Sequence, residues 1–563
     1  MRLKRYLTAL LAAAALLAQS CIKNDIPYPE VEINITGVEG RGFTVASIDV
    51  TTRTVTLSLE ELTDMSAVEI DKVTLGVVSH STSLTNEELL AQVRSSRELT
   101  GTFDLRTPLY VTLSLYQSFE WSIVAEQNIE RRFSVAGQIG ASQFDVPNRT
   151  VVANVPQGTD LSALQVNELK LGPADITTYS PTLEELSGTS FETVRFVDVT
   201  CFGQTERWIL HVVPVDVTVM LTQVDAWSKV IWLYGAGVEG RKMGFRYRVK
   251  GSEEWLEVPD VEVDGGSFKA RLKAEAETDY EVVAYADDDL SEPRSVRTEA
   301  TWTLPNGGFE EWTAPDLNIT PKRKYWLPYL LDGGTPFWDT GNKGSTTLSE
   351  SDNISIPEND PRPGSTGTRS AHLTSKWVVL KFAAGNLFTG EYFATKGTNG
   401  VVGFGRPCGY RPTALHGWVK FKGGKINRVG SVPVGVDIQQ GVTDDNGIIY
   451  IALGTWTPEK YGVWVDYITR DFYGTNDVPI AVYTGDKSSF FNAQGPDVVG
   501  YGEKVMVENI DEWTEFTIPI EYTSTDRVPT HILIVCSSSR WGDYFTGCDK
   551  SELWVDDFEL IYD

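Results

Sequence analysis

The residues of this chain able to do chemistry are aromatic and acidic rather than nucleophilic or metal-ligating. Its 563 residues include five histidines, His80, His211, His372, His416 and His531, and no two stand at metal-ligand spacing. No G-x-S-x-G elbow, H-E-x-x-H pair, phosphate-binding G-x-x-x-x-G-K-[ST] loop or G-x-G-x-x-G turn occurs, so serine, zinc and nucleotide chemistries have no sequence basis. Carboxylates remain, 77 of them, and two suffice for glycoside hydrolysis. Tryptophans flanked by polar residues are the other resource. In Trp418-Val419-Lys420-Phe421-Lys422, strand alternation puts Trp418, Lys420 and Lys422 on one face and Val419 and Phe421 on the other. Two lysines seldom share a core face, so Trp418 is expected on the open side. A flat indole beside charged donors suits a sugar ring, whose C–H face stacks while its hydroxyls need polar partners. The same alternation groups Trp377 with Lys381 and sets Val378, Leu380 and Phe382 opposite.

Trp338-Asp339-Thr340-Gly341-Asn342 is turn-like and has two readings. Trp338 is a sugar platform with orienting bonds from Asp339 and Asn342, or it plugs the core while both polar side chains bond local backbone. The polar run from Ser537 to Asp543, after the apolar strand His531 to Val535, carries the same alternatives. A hydrolytic reading would draw on Asp339 and Asp543.

These residues sit in an exported chain. Met1-Arg2-Leu3-Lys4-Arg5, an apolar run from Leu7 to Ala18, and Gln19-Ser20-Cys21 form a signal segment too short to span a bilayer. The pattern predicts cleavage after residue 20 and lipidation of Cys21, followed by a Pro-stiffened tether over 21–39. The formal charge of −28 becomes −31 once Arg2, Lys4 and Arg5 leave with the signal. So acidic a surface excludes nucleic acid as partner and leaves the lipid anchor as the link to membrane. Of the other cysteines, Cys201, Cys408, Cys536 and Cys548, the last two are spaced for a bridge, though Cys536 closing an apolar strand reads most simply as a buried thiol.

The elements that must position the aromatics are strands. Leu62-Thr63-Asp64-Met65-Ser66-Ala67 matches Gly158-Thr159-Asp160-Leu161-Ser162-Ala163 at a spacing of 96, and Arg53-Thr54-Val55 recurs as Arg149-Thr150-Val151. Each copy follows an alternating strand, which predicts duplicated β-modules over 40–135 and 136–214. They resemble immunoglobulin-like repeats of exported lipoproteins. Residues 215–303 have strands at sandwich spacing and a Thr278-x-Tyr280 step where a fibronectin type III fold has its tyrosine corner. From 304 to 563 the chain carries ten of its sixteen Trp, many Gly and no long amphipathic helix, which predicts a larger all-β sandwich such as a jelly roll.

Asn306-Gly307-Gly308-Phe309-Glu310-Glu311-Trp312 and Leu553-Trp554-Val555-Asp556-Asp557-Phe558-Glu559-Leu560 resemble the first and last strands of jelly-roll carbohydrate-binding modules. That resemblance implies a structural calcium held by Glu310 and Asp556; the plainer alternative leaves both acids in water while Phe309, Phe558 and Leu560 pack. Pro336–Asn342, Ala384–Gly390, Arg411-Pro412, Leu415–Phe421, Glu521-Tyr522 and Ser537–Gly547 look like successive motifs of the putative carbohydrate metabolism domain family. Membership implies a jelly roll behind immunoglobulin-like modules and a role in handling glycans, and it adds Arg411 to the candidates. It supplies no catalytic pair.

The expectation is therefore an all-β, lipid-anchored cell-envelope protein of the outer membrane, its tandem sandwiches spacing a C-terminal jelly roll that binds glycan. The candidate glycan-binding residues are Trp338, Asp339, Asn342, Trp377, Arg411, Trp418, Lys420 and Asp543. Glycan is the expected partner, with outer-membrane proteins as further ones. The alternatives are a carboxylate-dependent hydrolase and an adhesin, the latter requiring a flat aromatic patch in place of a cleft.

Overall fold

The computed structural model describes residues 31–563 apart from 51, 80–83, 335, 379, 434–435 and 466–470. The signal, Cys21 and the first part of the tether lie outside the described residues. The second part of the tether is corrected: Val31–Arg41 is a strand paired antiparallel with Val68–Ser79, because Val31, Ile33 and Ile35 alternate into a core.

Two compact units divide the chain, residues 1–128 and 129–563. In the first, a three-stranded sheet (Val31–Arg41, Val68–Ser79, Gly101–Phe103) and a five-stranded one (Phe43–Asp49, Thr54–Leu59, Ser118–Gln127, Leu109–Ser114, Arg94–Ser95) enclose Trp121, whose Nε1 donates to the Ile33 carbonyl at 3.2 Å. The second module begins before 136, since Arg132–Val135 pairs with Val166–Lys170. The duplication is visible in detail. Thr54–Leu59 runs parallel to Ser118–Gln127, as Thr150–Pro156 does to Gln204–Val215. Arg53 and Arg149 share a left-handed φ of 53° and 52°, and Asp64 and Asp160 each accept from the backbone N–H two residues on, at Ser66 and Ser162.

The third module pairs a sheet of Val219–Ala226, Val230–Gly237, Ser267–Lys273 and Glu262–Asp264 with one built on Met243–Val249 and Asp279–Ala286. Tyr280 forms its corner, the hydroxyl accepting from the Glu275 N–H at 2.9 Å. This module is docked onto the C-terminal domain. Arg411 is buried between them: it pairs with Glu299 at 2.6 Å, donates to the carbonyls of Thr525 and Ala226, and lies 5.4 Å over the Trp227 ring. Trp227 in turn donates to Thr525 and packs on Tyr522 at 4.5 Å. Arg411 is thus corrected from a ligand group to an inter-module clamp.

The C-terminal domain is a two-sheet sandwich. Among the described residues, a nine-stranded sheet orders Ile480–Tyr483, Asn399–Phe404, Asn386–Lys396, His531–Ser537, Gly447–Gly454, Val498–Met506 and Glu521–Tyr522, with Trp338–Asp339 and Arg406–Pro407 attached. It faces a five-stranded sheet of Ser355–Glu358, Ser370–Thr374, Glu552–Ile561, Ala414–Lys422 and Ile510–Pro519. Leu387, Ile449, Ile451, Ile534 and Cys536 from the first interleave with Leu373, Val419, Phe421, Leu553 and Val555 from the second. The two ends of the domain meet, the Phe558 N–H donating to Gly307 at 2.8 Å and the Phe309 and Phe558 rings lying edge to face at 5.2 Å. The opening segment is a turn and not a strand, with Asn306 and Phe309 at φ 48° and 52°. The four described cysteines are free thiols, so Cys536 and Cys548 do not pair.

Candidate functional site

The nine-stranded sheet is apolar on both faces, and this positions the site. Strand alternation sends Leu387, Ile449 and Cys536 into the inter-sheet core while Phe388, Ile448, Tyr450, Val535 and Ser537 emerge on the opposite face. There they floor a cleft of about 380 Å³. Its walls come from the turn after Trp338, the hairpin Lys376–Val378/Lys381–Ala383, the strand Asn399–Phe404 and the segment 540–545. A mostly apolar cleft with a few convergent polar groups is the usual form of a small-ligand site.

The polar groups are set by the segment that leaves Ser537. The Arg540 N–H donates to the Asn446 carbonyl at 2.6 Å, fixing the turn, and the guanidinium lies 4.9 Å over the Trp541 ring. Gly542 lets the chain close on the hairpin, since a Cβ there would meet that of Ala384 at 2.5 Å. Gly542–Tyr544 then form one 3-10 turn, ended by Phe545 at a left-handed φ of 56°. Asp543 projects from this turn. It is open to the cleft yet ringed closely by protein, and that desolvation pushes its carboxyl up to about 6. Among the described residues it accepts no hydrogen bond. Burial, and then the neighbouring Asp543 charge, raises the Tyr450 hydroxyl well above the usual tyrosine range. Lys381 donates to Asn399 Oδ1 at 2.5 Å and stands 3.5 Å over the Phe545 ring, with burial lowering its ammonium.

Asp543 is the member of the sequence-predicted set that lines this cleft. Trp338 is corrected: its side chain is fully buried, Nε1 donates to the Pro305 carbonyl at 2.7 Å, and Phe309, Phe337 and Phe558 surround it edge to face. Asp339 is likewise internal. It accepts from the Thr340 and Tyr392 N–H groups, and burial, only partly offset by those bonds, lifts its carboxyl to about 6. Asn342, with no exposed surface, accepts from Ile354 and Ser355 and donates to Trp326 and Ser355. These three build the turn whose Gly341 and Gly344 form one wall. Trp377 stands on the cleft-side hairpin, half exposed under the Arg428 guanidinium at 4.4 Å. Its expected pairing with Lys381 fails because the chain turns back: Val378 lies opposite Lys381, and Trp377 opposite Phe382.

Trp418 and Lys420 lie far from this in the fold, on the outward face of the five-stranded sheet, with Val419 and Phe421 buried behind them. The face is already engaged with itself. Arg362 covers Trp418 at 5.1 Å, and Lys420 pairs with Asp360 between the Trp513 and Trp554 rings, 4.8 and 5.0 Å away. Glu310 and Asp556 approach one another at the meeting of the domain ends, but protein donors occupy them. Glu310 accepts from the backbone of Thr368 and Arg369 and the Thr368 hydroxyl; Asp556 accepts from Arg362 and Asp557 N–H, while Arg362 pairs with Asp557 at 2.6 Å. Burial raises Asp556 to about 6. Carboxylates facing N–H groups and a guanidinium do not converge as the several hard oxygens that Ca²⁺ needs, and among the described residues no three His, Cys, Asp or Glu are grouped to hold a metal.

Sequence reasoning missed Tyr450, Asn386 and Arg540 as cleft residues and met Lys381 only as the supposed face partner of Trp377. Asn386 and Arg540 stand inside motifs singled out for their family likeness, whereas Ile448-Ile449-Tyr450-Ile451 reads as a fully buried strand. Nothing in it signals that Tyr450 opens onto a cleft.

With this geometry in place, comparison with known proteins defines the class: residues 308–561 match the family described as Putative carbohydrate metabolism domain. The match covers the C-terminal domain alone and marks that domain as carbohydrate-related. No curated protein sequence matches the chain. Among solved structures, a "putative glycoside hydrolase" from Bacteroides thetaiotaomicron is similar at 19% identity and TM-score 0.29, over 77% of this chain and 96% of that one. Another so described, from Bacteroides vulgatus, is similar at 20% identity and TM-score 0.32, over 46% and 97%. SGBP-B from a complex xyloglucan utilization locus in Bacteroides uniformis is similar at 10% identity and TM-score 0.16, over 84% and 98%. At these scores the likenesses carry no weight for the site.

Proposed function

We propose that this protein binds glycan in the cleft on the nine-stranded sheet. The observation that carries the reading is an unpartnered carboxylate, Asp543, at the edge of an aromatic-floored cleft within a carbohydrate-related domain. Tyr450, stacked on Phe491 on one side, and Phe545, which shares a face with Lys381, give aromatic surface for sugar C–H groups, and Asp543, Arg540 and the remaining capacity of the Asn386 amide offer acceptors and donors for hydroxyls. Asp543 is also the single acid among the described residues lining the cleft. Two-carboxylate hydrolysis would need a second within about 5 to 9.5 Å, and Asp339 is internal and bonded, so binding is favoured over turnover. A cleft favours a small ligand over the flat patch that an adhesin requires, and the rings of the tryptophan face on the other sheet are covered by Arg362 and Lys420. Lipidation at Cys21 and placement in the cell envelope belong to the same reading and rest on the signal pattern.

A glycan array probed with the full chain, followed by product analysis of each hit, tests this. The account predicts binding without cleavage, unchanged by a chelator because Glu310 and Asp556 are already bonded. Cleavage of a bound glycan, or binding lost with chelator and restored by Ca²⁺, would overturn the respective part.

A further inference from the structure

The charge of the cleft is out of keeping with the molecule around it. A chain with 77 acids against 49 Lys and Arg sets two cations, Lys381 and Arg540, into a recess with a single carboxylate. One cation has no ion pair among the described residues and the other is paired only loosely. Lys381 meets a neutral amide, Asn399 Oδ1, and an aromatic face, and forms no ion pair among the described residues. Arg540 has its nearest carboxylate, Glu503, at 3.7 Å, outside the cleft lining. Holding an ammonium part-buried against Phe545 with no counter-charge is unfavourable, and its depressed proton affinity reflects that burial. A ligand that brought a negative charge would relieve it. Asp543 stands on the same segment as Arg540 and is the one carboxylate among the described residues of the lining.

Resting on the glycan-cleft reading, we infer that the preferred ligand is an anionic saccharide, its carboxylate or sulfate group seated between Lys381 and Arg540. A guanidinium offers paired N–H donors to a planar carboxylate and Lys a mobile point charge, so both uronate and sulfate esters suit the pair. On the outward face of the five-stranded sheet, by contrast, Lys420 is paired with Asp360 and Arg362 with Asp557.

The test is calorimetric titration of the full chain with three probes: an oligogalacturonate, a sulfated galactan oligosaccharide and a neutral gluco-oligosaccharide, each at low and high salt. The inference predicts that one acidic probe binds roughly tenfold or more tighter than the neutral one, that salt weakens it, and that Lys381→Met and Arg540→Gln each remove most of the preference with unfolding temperature unchanged. The two acidic probes separate uronate from sulfate recognition. Equal or tighter binding of the neutral probe would overturn the anionic inference and leave the cleft as a glycan site. Absence of binding by all three to the folded wild-type chain, with binding to an array of other neutral glycans, would also overturn it; silence throughout would overturn the cleft reading itself.

Discussion

Polar residues inside the C-terminal domain divide by whether their bonds are complete. Asn342 satisfies its whole amide and Asp339 takes two backbone N–H bonds, and both are architecture. Asp445 is a sharper case. Its Oδ2 accepts from Ser539, Ser551 and the Cys548 N–H, whereas Oδ1 is buried without a partner, and burial lifts the carboxyl to about 6. A folded-state pKa above the unfolded value near 4 means that the native state holds the proton longer, so stability from this group is full below about pH 4 and is lost as pH rises through about 6. Asp445→Asn keeps the shape and removes that titration. Denaturant unfolding should therefore show the Asn variant gaining on the wild type by about 1 to 3 kcal/mol between about pH 5 and pH 7.5; a gap that narrows or stays flat would contradict the charge account. Trp338 shows why a residue type alone misleads. A tryptophan beside Asp and Asn suits both a sugar platform and a sealed core, and only the packing of Phe309, Phe337 and Phe558 decides for the core.

At the scale of elements, what was legible in the sequence follows period two. Alternation placed Val419 and Phe421 inward and Trp418 and Lys420 outward, and the 96-residue repeat showed itself as two modules with the same parallel strand pair. Alternation failed where the chain reversed, as at Trp377 to Phe382, because a hairpin of three-residue strands pairs residues that a continuous strand would set apart. It also failed at Tyr450, since a sheet apolar on both faces gives a continuous hydrophobic run with no mark of which face is open. Contacts between modules leave no periodic trace at all, and Arg411 is their clearest example. Removing one partner of a buried ion pair costs about 3 to 5 kcal/mol. Arg411→Ala should accordingly loosen the third module, raising the rate of limited proteolysis in the 298–305 connection at least tenfold while the C-terminal domain stays folded. An unchanged rate would show that the other contacts, those of Trp227 with Tyr522, of Thr525 with Tyr234 and Asp225, and of Lys273 with Asp563, hold the junction without it.

At the scale of the whole molecule, three sandwiches precede a domain with two contrasting faces. The outward face of its five-stranded sheet is rich in Trp418, Trp513 and Trp554, but neighbouring cations and acids already cover those rings. The nine-stranded sheet holds the cleft, with an unpartnered acid, a lysine that forms no ion pair among the described residues, and Arg540, whose carboxylate partner Glu503 stands at 3.7 Å outside the lining. Among the described residues no helix is long and apolar enough to cross a membrane. The central claim is that glycan binds in the cleft and not on the tryptophan face. It is tested most directly by measuring the affinity of the full chain for its best array glycan alongside Tyr450→Ala and Trp418→Ala. The account predicts a loss of about tenfold or more for Tyr450→Ala, as for an aromatic anchor in a binding site, and affinity within about twofold of wild type for Trp418→Ala. Loss in Trp418→Ala with Tyr450→Ala folded and unaffected would place the site on the other sheet and contradict the account.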